Sequence, residues 1–466
     1  MNCMLSLHCS MKKFLFLSLL LPAIIYAQRE DSIFIHQLSN TILSSDAPYN
    51  DLFYLTKRIG GRLAGSPQMG QAEAWGAKTM QQAGADAVFG QACQVPHWVR
   101  GGKDKAAVYF MDNTGKKQSK AIAVLALGNS VGTGSKGTTA PLLRVQSFDD
   151  LESKKDSVKG KIVFYDVPFD DTLVFTFRAY GKNVIYRGQG ASRAAKYGAL
   201  AVLVRSMSNS VDNYPHTGSM HYTDGLPKIP AAAVGLRDVK YIDSLFDAGK
   251  TVSASMFTYG KMLPDTTGHN IIGVLKGQDD SIITVGGHLD SWDVNEGATD
   301  DGAGIVQTIE ILRAFNALNY QPKHTIHFVL FANEENGARG AAKYAEEAKA
   351  NNEHHLFALE SDAGGFTPRG FSLAASDTVI NKLDSWLPLF KPYGVTDFVN
   401  EGAGTDVSPL HALLNTPVAE LRPDSQRYFD VHHAPNDVLE NVNIRELKLG
   451  AINMAALIYL IDKYGL

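Results

Sequence analysis

Between Val285 and Gly304 the chain reads VGGHLDSWDVNEGATDDGAG, and His288, Asp290, Asp300 and Asp301 in it carry groups that bind divalent cations. Crowded carboxylates are unstable unless cations or protons offset them. Imidazole and carboxylate together suit zinc or another borderline divalent ion. Similar groups recur after apolar runs. Glu334 and Glu335 follow TIHFVLF at Thr325–Phe331, Asp362 follows His355–Leu359, and His433 lies in YFDVHHAPND at Tyr428–Asp437, beyond Val418–Leu421. Alone, the first stretch reads also as a polar surface loop. The recurrence after successive strands points to one metal site assembled from distant segments.

The elements that must position these groups alternate β then α after Gly260. Asn270–Leu275, Ser281–Val285, Thr325–Phe331, His355–Leu359 and Val418–Leu421 read as strands. Ile305–Leu318, Gly337–Ala350, Asp377–Leu387 and Asn443–Tyr464 read as helices; in the first, Val306, Ile309, Leu312 and Phe315 form one stripe. A strand as continuously apolar as Thr325–Phe331 belongs inside a sheet covered on both faces. Upstream, Ser32–Leu43 and Asp51–Thr56 read as helices, Arg58–Pro67 as a loop, Glu73–Ala83 as a helix stopped by Gly84, and Ala87–Val95 as a strand. The expected fold is α/β, a mostly parallel twisted sheet flanked by helices. Open sheets of this kind bind ligands at the carboxyl ends of their strands.

Composition shifts near Thr114. From Lys117 to Tyr259 the chain carries expected strands at Ala121–Leu127, Gly160–Tyr165, Ala199–Val204, Ile229–Val234 and Val252–Thr258, a short helix at Ser192–Tyr197 and a longer one at Asp238–Ala248, without a metal-type cluster. Residues 117–259 are therefore expected to form a smaller α+β domain inserted between 28–116 and 260–466; the competing expectation is a continuation of the main sheet.

With 466 residues, 45% hydrophobic and 20% charged, the chain can bury two or three cores. A net charge of −4 without clustered Lys and Arg excludes a nucleic-acid footprint. Residues 1–27 read as an upstream extension and a secretory signal: Lys12 and Lys13 precede the apolar run Phe14–Tyr26, and Ala27 offers a cleavage point before Gln28. That run is short for a bilayer span, so export to the periplasm or exterior without a stable membrane anchor is expected. Removing it takes Cys3 and Cys9, leaving Cys93 alone, with no intrachain disulfide and no multi-cysteine structural zinc.

HLDSWD at His288–Asp293, GATDDGAG at Gly297–Gly304, NEENG at Asn333–Gly337, ESDAG at Glu360–Gly364 and HHAPND at His432–Asp437 resemble the dizinc exopeptidases of the aminopeptidase and carboxypeptidase Q group. IGGRLAGSP at Ile59–Pro67 resembles that group's N-terminal segment, and GKIVFYD at Gly160–Asp166 with Ala191–Val204 resembles its inserted protease-associated domain. The resemblance implies two zinc ions per chain: Asp300 bridging, His288 and Asp362 completing one site, Glu335 and His433 the other. It makes Glu334 the general base, places Asp290 behind His288, and gives Asp437 the same task at His433. Asp301 and His432 are read as packing or hydrogen-bonding neighbours. Gly404, Thr405 and Asp406, in GAGTD, line the substrate pocket or form an ordinary helix-start turn. Paired zinc ions of this kind activate a water and polarise a scissile carbonyl. The implied activity is release of the N-terminal residue from short peptides; the alternatives are a carboxypeptidase Q-like dipeptidase and a non-catalytic peptide-binding protein on the same fold. Homodimers are also implied.

Overall fold

Apolar runs become strands here because buried backbone needs paired N–H and C=O groups. The computed structural model describes residues 29–466, so the expected signal segment lies outside the described residues. In chain order the strands are β1 (Ala87–Val99), β2 (Lys105–Met111), β3 (Lys117–Ile122), β4 (Val124–Ala126), β5 (Thr138–Val145), β6 (Ile162–Tyr165), β7 (Ala201–Arg205), β8 (Ala231–Val234), β9 (Ser253–Phe257), β10 (Lys261–Leu275), β11 (Asp279–His288), β12 (His324–Phe331), β13 (His355–Glu360), β14 (Pro368–Ala374), β15 (Asp397–Val399) and β16 (Val418–Pro423). They form two eight-stranded sheets.

The first sheet runs β1-β10-β12-β11-β13-β16-β14-β15. Its centre, β12-β11-β13-β16, is parallel, while β1 and β10 on one side and the β14–β16 pairing on the other are antiparallel. The α/β fold expected from the sequence is present, parallel where the candidate ligands gather and mixed at its margins. Alternation along β12 explains its continuous apolar run. Ile326, Phe328 and Leu330 pack with the helices Ala303–Ala317 and Ile444–Tyr464 on one face; Val329 and Phe331 pack with Arg339–Ala350 on the other. Truncating a buried phenylalanine such as Phe328 to alanine costs about 3–5 kcal/mol.

The second sheet runs β3-β2-β9-β5-β6-β7-β8-β4 and draws its strands from Lys105 to Phe257. It thus begins before Lys117: β2 pairs with both β3 and β9. The run expected as one strand at Ala121–Leu127 is broken at Ala123. Residues before the break pair with β2 and those after it with β8, so one bent segment links the two edges of the sheet. The helix expected only at Ser192–Tyr197 spans Thr176–Ala195. Glycine disfavours helix, but Gly190 serves close packing: a Cβ there would meet the Tyr165 ring at 2.7 Å, and the Tyr165 hydroxyl donates to the Gly190 carbonyl at 2.9 Å.

Candidate active site

The metal-type residues stand where the central strands end. His288 is the last residue of β11, and Asp362 follows the end of β13. Beyond β12, Asn333 takes a left-handed turn (φ 64°), a conformation asparagine tolerates well, and the chain folds into the turn Glu334–Gly337. Asp300 and Asp301 precede the helix Ala303–Ala317. His433, also left-handed at φ 58°, follows the turn Tyr428–Val431.

These groups converge on Asp300. The Nε2 of His288 lies 3.1 Å from Asp300 Oδ1 and 3.2 Å from Asp362 Oδ1. The other Asp300 oxygen, Oδ2, lies 3.2 Å from His433 Nε2, which is 3.0 Å from Glu335 Oε2. His432 joins this second side: its Nε2 is 3.8 Å from Asp300 Oδ2 and its ring stacks on His433 at 3.6 Å. Two donor sets, His288–Asp300–Asp362 and Asp300–His432–His433, are each close enough to hold one ion, and they share Asp300.

The electrostatics match such a pair of ions. Both Glu335 carboxylate oxygens and Oδ2 of Asp300 are buried without a hydrogen-bond donor. Burial pushes the Glu335 carboxyl up to about 8 and that of Glu334 up to about 7, with neighbouring carboxylates adding to both. Burial opposes a charged His288, but Asp362, Asp290 and Asp300 outweigh it and raise its pKa well above the usual value. Burial likewise opposes a charged His433, yet Glu335 and Asp300 raise it to about 9. The carboxylates thus take up protons and protonated imidazoles in place of cations. Divalent ions meet the same need.

Around this centre the structure places the other residues as follows. Asp290 accepts the Glu334 N–H at 3.0 Å through its side chain, and its main-chain carbonyl stands 3.1 Å from His288 Nδ1. It therefore touches both a ligand-type residue and the glutamate pair. Asp301 is in neither donor set; its carboxylate accepts the N–H groups of His288 and Gly304 at 3.1 and 2.9 Å. Asp437 does not orient His433 as expected. It accepts the N–H groups of Thr299 and Asp300 at 2.7 and 3.1 Å, holding the backbone of the shared ligand. The His433 Nδ1 faces the Thr217 carbonyl at 3.4 Å instead. Gly404 and Thr405 line the metal pocket, a cavity of ≈ 320 Å³. Asp406 does not line it: its side chain is buried, and its N–H donates to Glu360.

Several residues at the site went unread in the sequence. Phe177, Tyr180 and Arg187, from the helix Thr176–Ala195 of the second sheet's segment, line the metal pocket. Arg187 Nη1 stands 3.3 Å from His433 Nδ1, and Nη2 donates to the Tyr180 hydroxyl at 2.7 Å. The spacing 177, 180, 184, 187 is a helical stripe that could have been read. Arg62, fully buried, donates to the carbonyls of Leu289, Glu296 and Gly297 at 2.5, 2.8 and 3.0 Å, pinning the loop between His288 and Asp300. It sits inside the IGGRLAGSP segment.

The model of peptidase family M28 matches residues 270–458. Over 415 residues the chain is 34% identical to human carboxypeptidase Q, covering 89% of this chain and 84% of that protein. The chain belongs to peptidase family M28. This M28 chain is also similar in structure to a peptidase M28 precursor from Shewanella amazonensis, at 33% identity and TM-score 0.87, over 93% of this chain and 97% of that one. A zinc aminopeptidase from Bacillus subtilis shares the fold at 20% identity and TM-score 0.62, over 89% of this chain and 94% of that one. Family and geometry agree: the M28 chain is a dinuclear zinc metallo-exopeptidase, with two donor sets sharing Asp300.

Proposed function

We propose that the protein is a carboxypeptidase Q-like dipeptidase rather than an enzyme that trims N-terminal residues from longer peptides. The observation that carries this reading is the lining of the metal pocket: Phe177, Tyr180 and Arg187 join Asp300, Glu334 and Asp362 around a cavity of ≈ 320 Å³. In this reading the helix Thr176–Ala195, from the other sheet's segment, narrows the approach to the pocket and so favours short substrates. The extended likeness to carboxypeptidase Q supports the same choice. In a dipeptide the N-terminal and C-terminal bonds are one bond, so the aminopeptidase expectation and the family resemblance need not conflict.

In this reading His288, Asp300 and Asp362 hold one ion, and Asp300, Glu335 and His433 the other. Glu335 is preferred to His432 as third ligand because both its oxygens are buried without donors, while His432 is held by ring stacking. When bound, zinc supplies Lewis acidity to the scissile carbonyl and lowers the pKa of an attacking water. Glu334 takes that water's proton as the C–O bond forms and returns it to the amine as the C–N bond breaks. Burial and the adjoining carboxylates raise its affinity for a proton, which suits a group that accepts one and gives it back. Asp290 fixes the Glu334 backbone. The strands from Lys105 to Phe257 act as the protease-associated lid, and export through the N-terminal signal and homodimer formation complete the proposal.

Free dipeptides, tripeptides and N-acetylated dipeptides assayed with the zinc-loaded protein test the reading. Dipeptides should be cleaved fastest and the acetylated forms poorly. Equal or faster cleavage of tripeptides and longer peptides, with the N-terminal residue as the released product, would instead establish an N-terminal trimming enzyme.

A further inference from the structure

A second cavity of ≈ 390 Å³ adjoins the metal pocket, walled by Phe175, Phe177, Ala363, Leu421 and Arg422. Phe177, Ala403 and Glu420 line both spaces, so the two are continuous. Glu420 lies on β16, in register with Glu360 of β13 on one side and Ser372 of β14 on the other. The two neighbouring glutamates differ in one respect. The Glu360 carboxylate accepts the N–H groups of Asp406 and Val407 at 3.0 and 3.1 Å. The Glu420 carboxylate, only half-buried, has no hydrogen-bond or ion-pair partner among the described residues.

The cations nearby are already engaged. Arg422 pairs with Asp397, and Arg178 pairs with Glu401 at 2.6 Å. Glu420 is left as an unpaired carboxylate facing the junction of two cavities. Removing a carboxylate from water without a donor is costly, and a cationic ligand offsets that cost. The aromatic walls favour a cation carried on an apolar stem.

We propose that Glu420 is the specificity-determining carboxylate of this cleft, taking a primary ammonium group of the substrate where the metal pocket opens into the aromatic-walled cavity. This rests on peptide hydrolysis at the metal pocket. Two sources offer that chemistry: the free α-ammonium, or the side-chain ammonium of a lysine seated in the second cavity.

The test compares zinc-loaded wild type, Glu420→Gln and Glu420→Asp, with zinc content and melting temperature measured alongside. Calorimetric titration with n-hexylamine reads ammonium binding directly; Glu420→Gln should weaken it by roughly 10- to 100-fold, with partial recovery in Glu420→Asp. Kinetics on Ala-Leu and Lys-Leu should show KM rising by a similar factor with kcat little changed. An equal penalty on both dipeptides identifies the α-ammonium, and a penalty on Lys-Leu alone identifies the side chain. If Glu420→Gln does not fold, a weakened amine isotherm in Glu420→Asp still supports the assignment and an unchanged one overturns it. Equal amine binding and equal KM values in wild type and Glu420→Gln overturn it outright. A wild type that binds n-hexylamine through Glu420 yet cleaves neither dipeptide would overturn the dipeptidase reading and leave the ammonium site standing.

Discussion

Glu334 and Glu335 are consecutive, yet their surroundings divide the work between them. The Glu334 backbone is tied to Asp290, while the Glu335 carboxylate lies 3.0 Å from His433 Nε2. Glu334→Gln keeps size and hydrogen-bonding capacity but removes proton acceptance. Turnover should fall by about 10² to 10⁴ while two zinc ions stay bound. Glu335→Gln should lose one ion first, with activity partly restored by excess zinc. His432→Gln should keep both ions if stacking is its only task. Metal content and turnover measured on the same preparations decide among these roles; loss of an ion from Glu334→Gln would reverse them. Where such groups gather was legible in the sequence, because strand ends are where an α/β sheet gathers ligands, but the division of roles between Glu334 and Glu335 came only from the family resemblance. The task of Asp437 was not legible. Its carboxylate serves the N–H groups of Thr299 and Asp300, and backbone directions cannot be read from residue type.

At the scale of elements, the loop between β11 and the helix Ala303–Ala317 must carry Asp300 to the metals without regular secondary structure through most of its length. Arg62 supplies the missing order through three main-chain carbonyls. Replacing it with methionine preserves an apolar stem of similar length and strips the donors. Each buried acceptor left unpaired costs about 1–3 kcal/mol, so the variant should lose at least about 3 kcal/mol. Chemical denaturation should show this as a lower midpoint, and zinc should bind more weakly because Asp300 is no longer held. A midpoint within error of wild type would mean that Asp437 alone positions the loop. The IGGRLAGSP motif identified this segment by resemblance, but its physical purpose emerges only once the loop it reaches is in place. The helix Thr176–Ala195 shows the opposite case. Gly181, Gly188 and Gly190 hid it because glycine disfavours helix by about 1 kcal/mol per residue. Packing on Tyr165 overrides that preference.

For the molecule as a whole, the decisive relation is between the two sheets. Every proposed metal ligand belongs to segments of the first sheet, whereas Phe177, Tyr180 and Arg187 in the pocket lining belong to the second. The second sheet's segment enters and leaves at adjacent points, since Lys105 and Phe257 are paired across β2 and β9. Excising 105–257 and joining the ends with a short linker should therefore leave the first sheet able to close. The two metal sites should not respond alike. His288 and Asp300 are supported by Asp290, Asp301 and Asp437, all within the first sheet's segments. His433 is different: its carbonyl accepts the Thr217 N–H at 2.9 Å, and its ring lies against Arg187 and Trp292. The Thr217 and Arg187 contacts leave with the excised segment, while Trp292 and the stacked His432 remain. Loss of supporting contacts to a ligand typically costs 10- to 100-fold in metal affinity. Zinc titration of the excised protein should accordingly find one site near wild-type affinity and one weakened by about that factor. At saturating zinc, cleavage should extend to longer peptides if, as proposed, Phe177, Tyr180 and Arg187 restrict them. Equal weakening of both sites would place the cause in the first sheet's own folding, and an unchanged preference for dipeptides would show that length is sensed elsewhere than at Phe177, Tyr180 and Arg187.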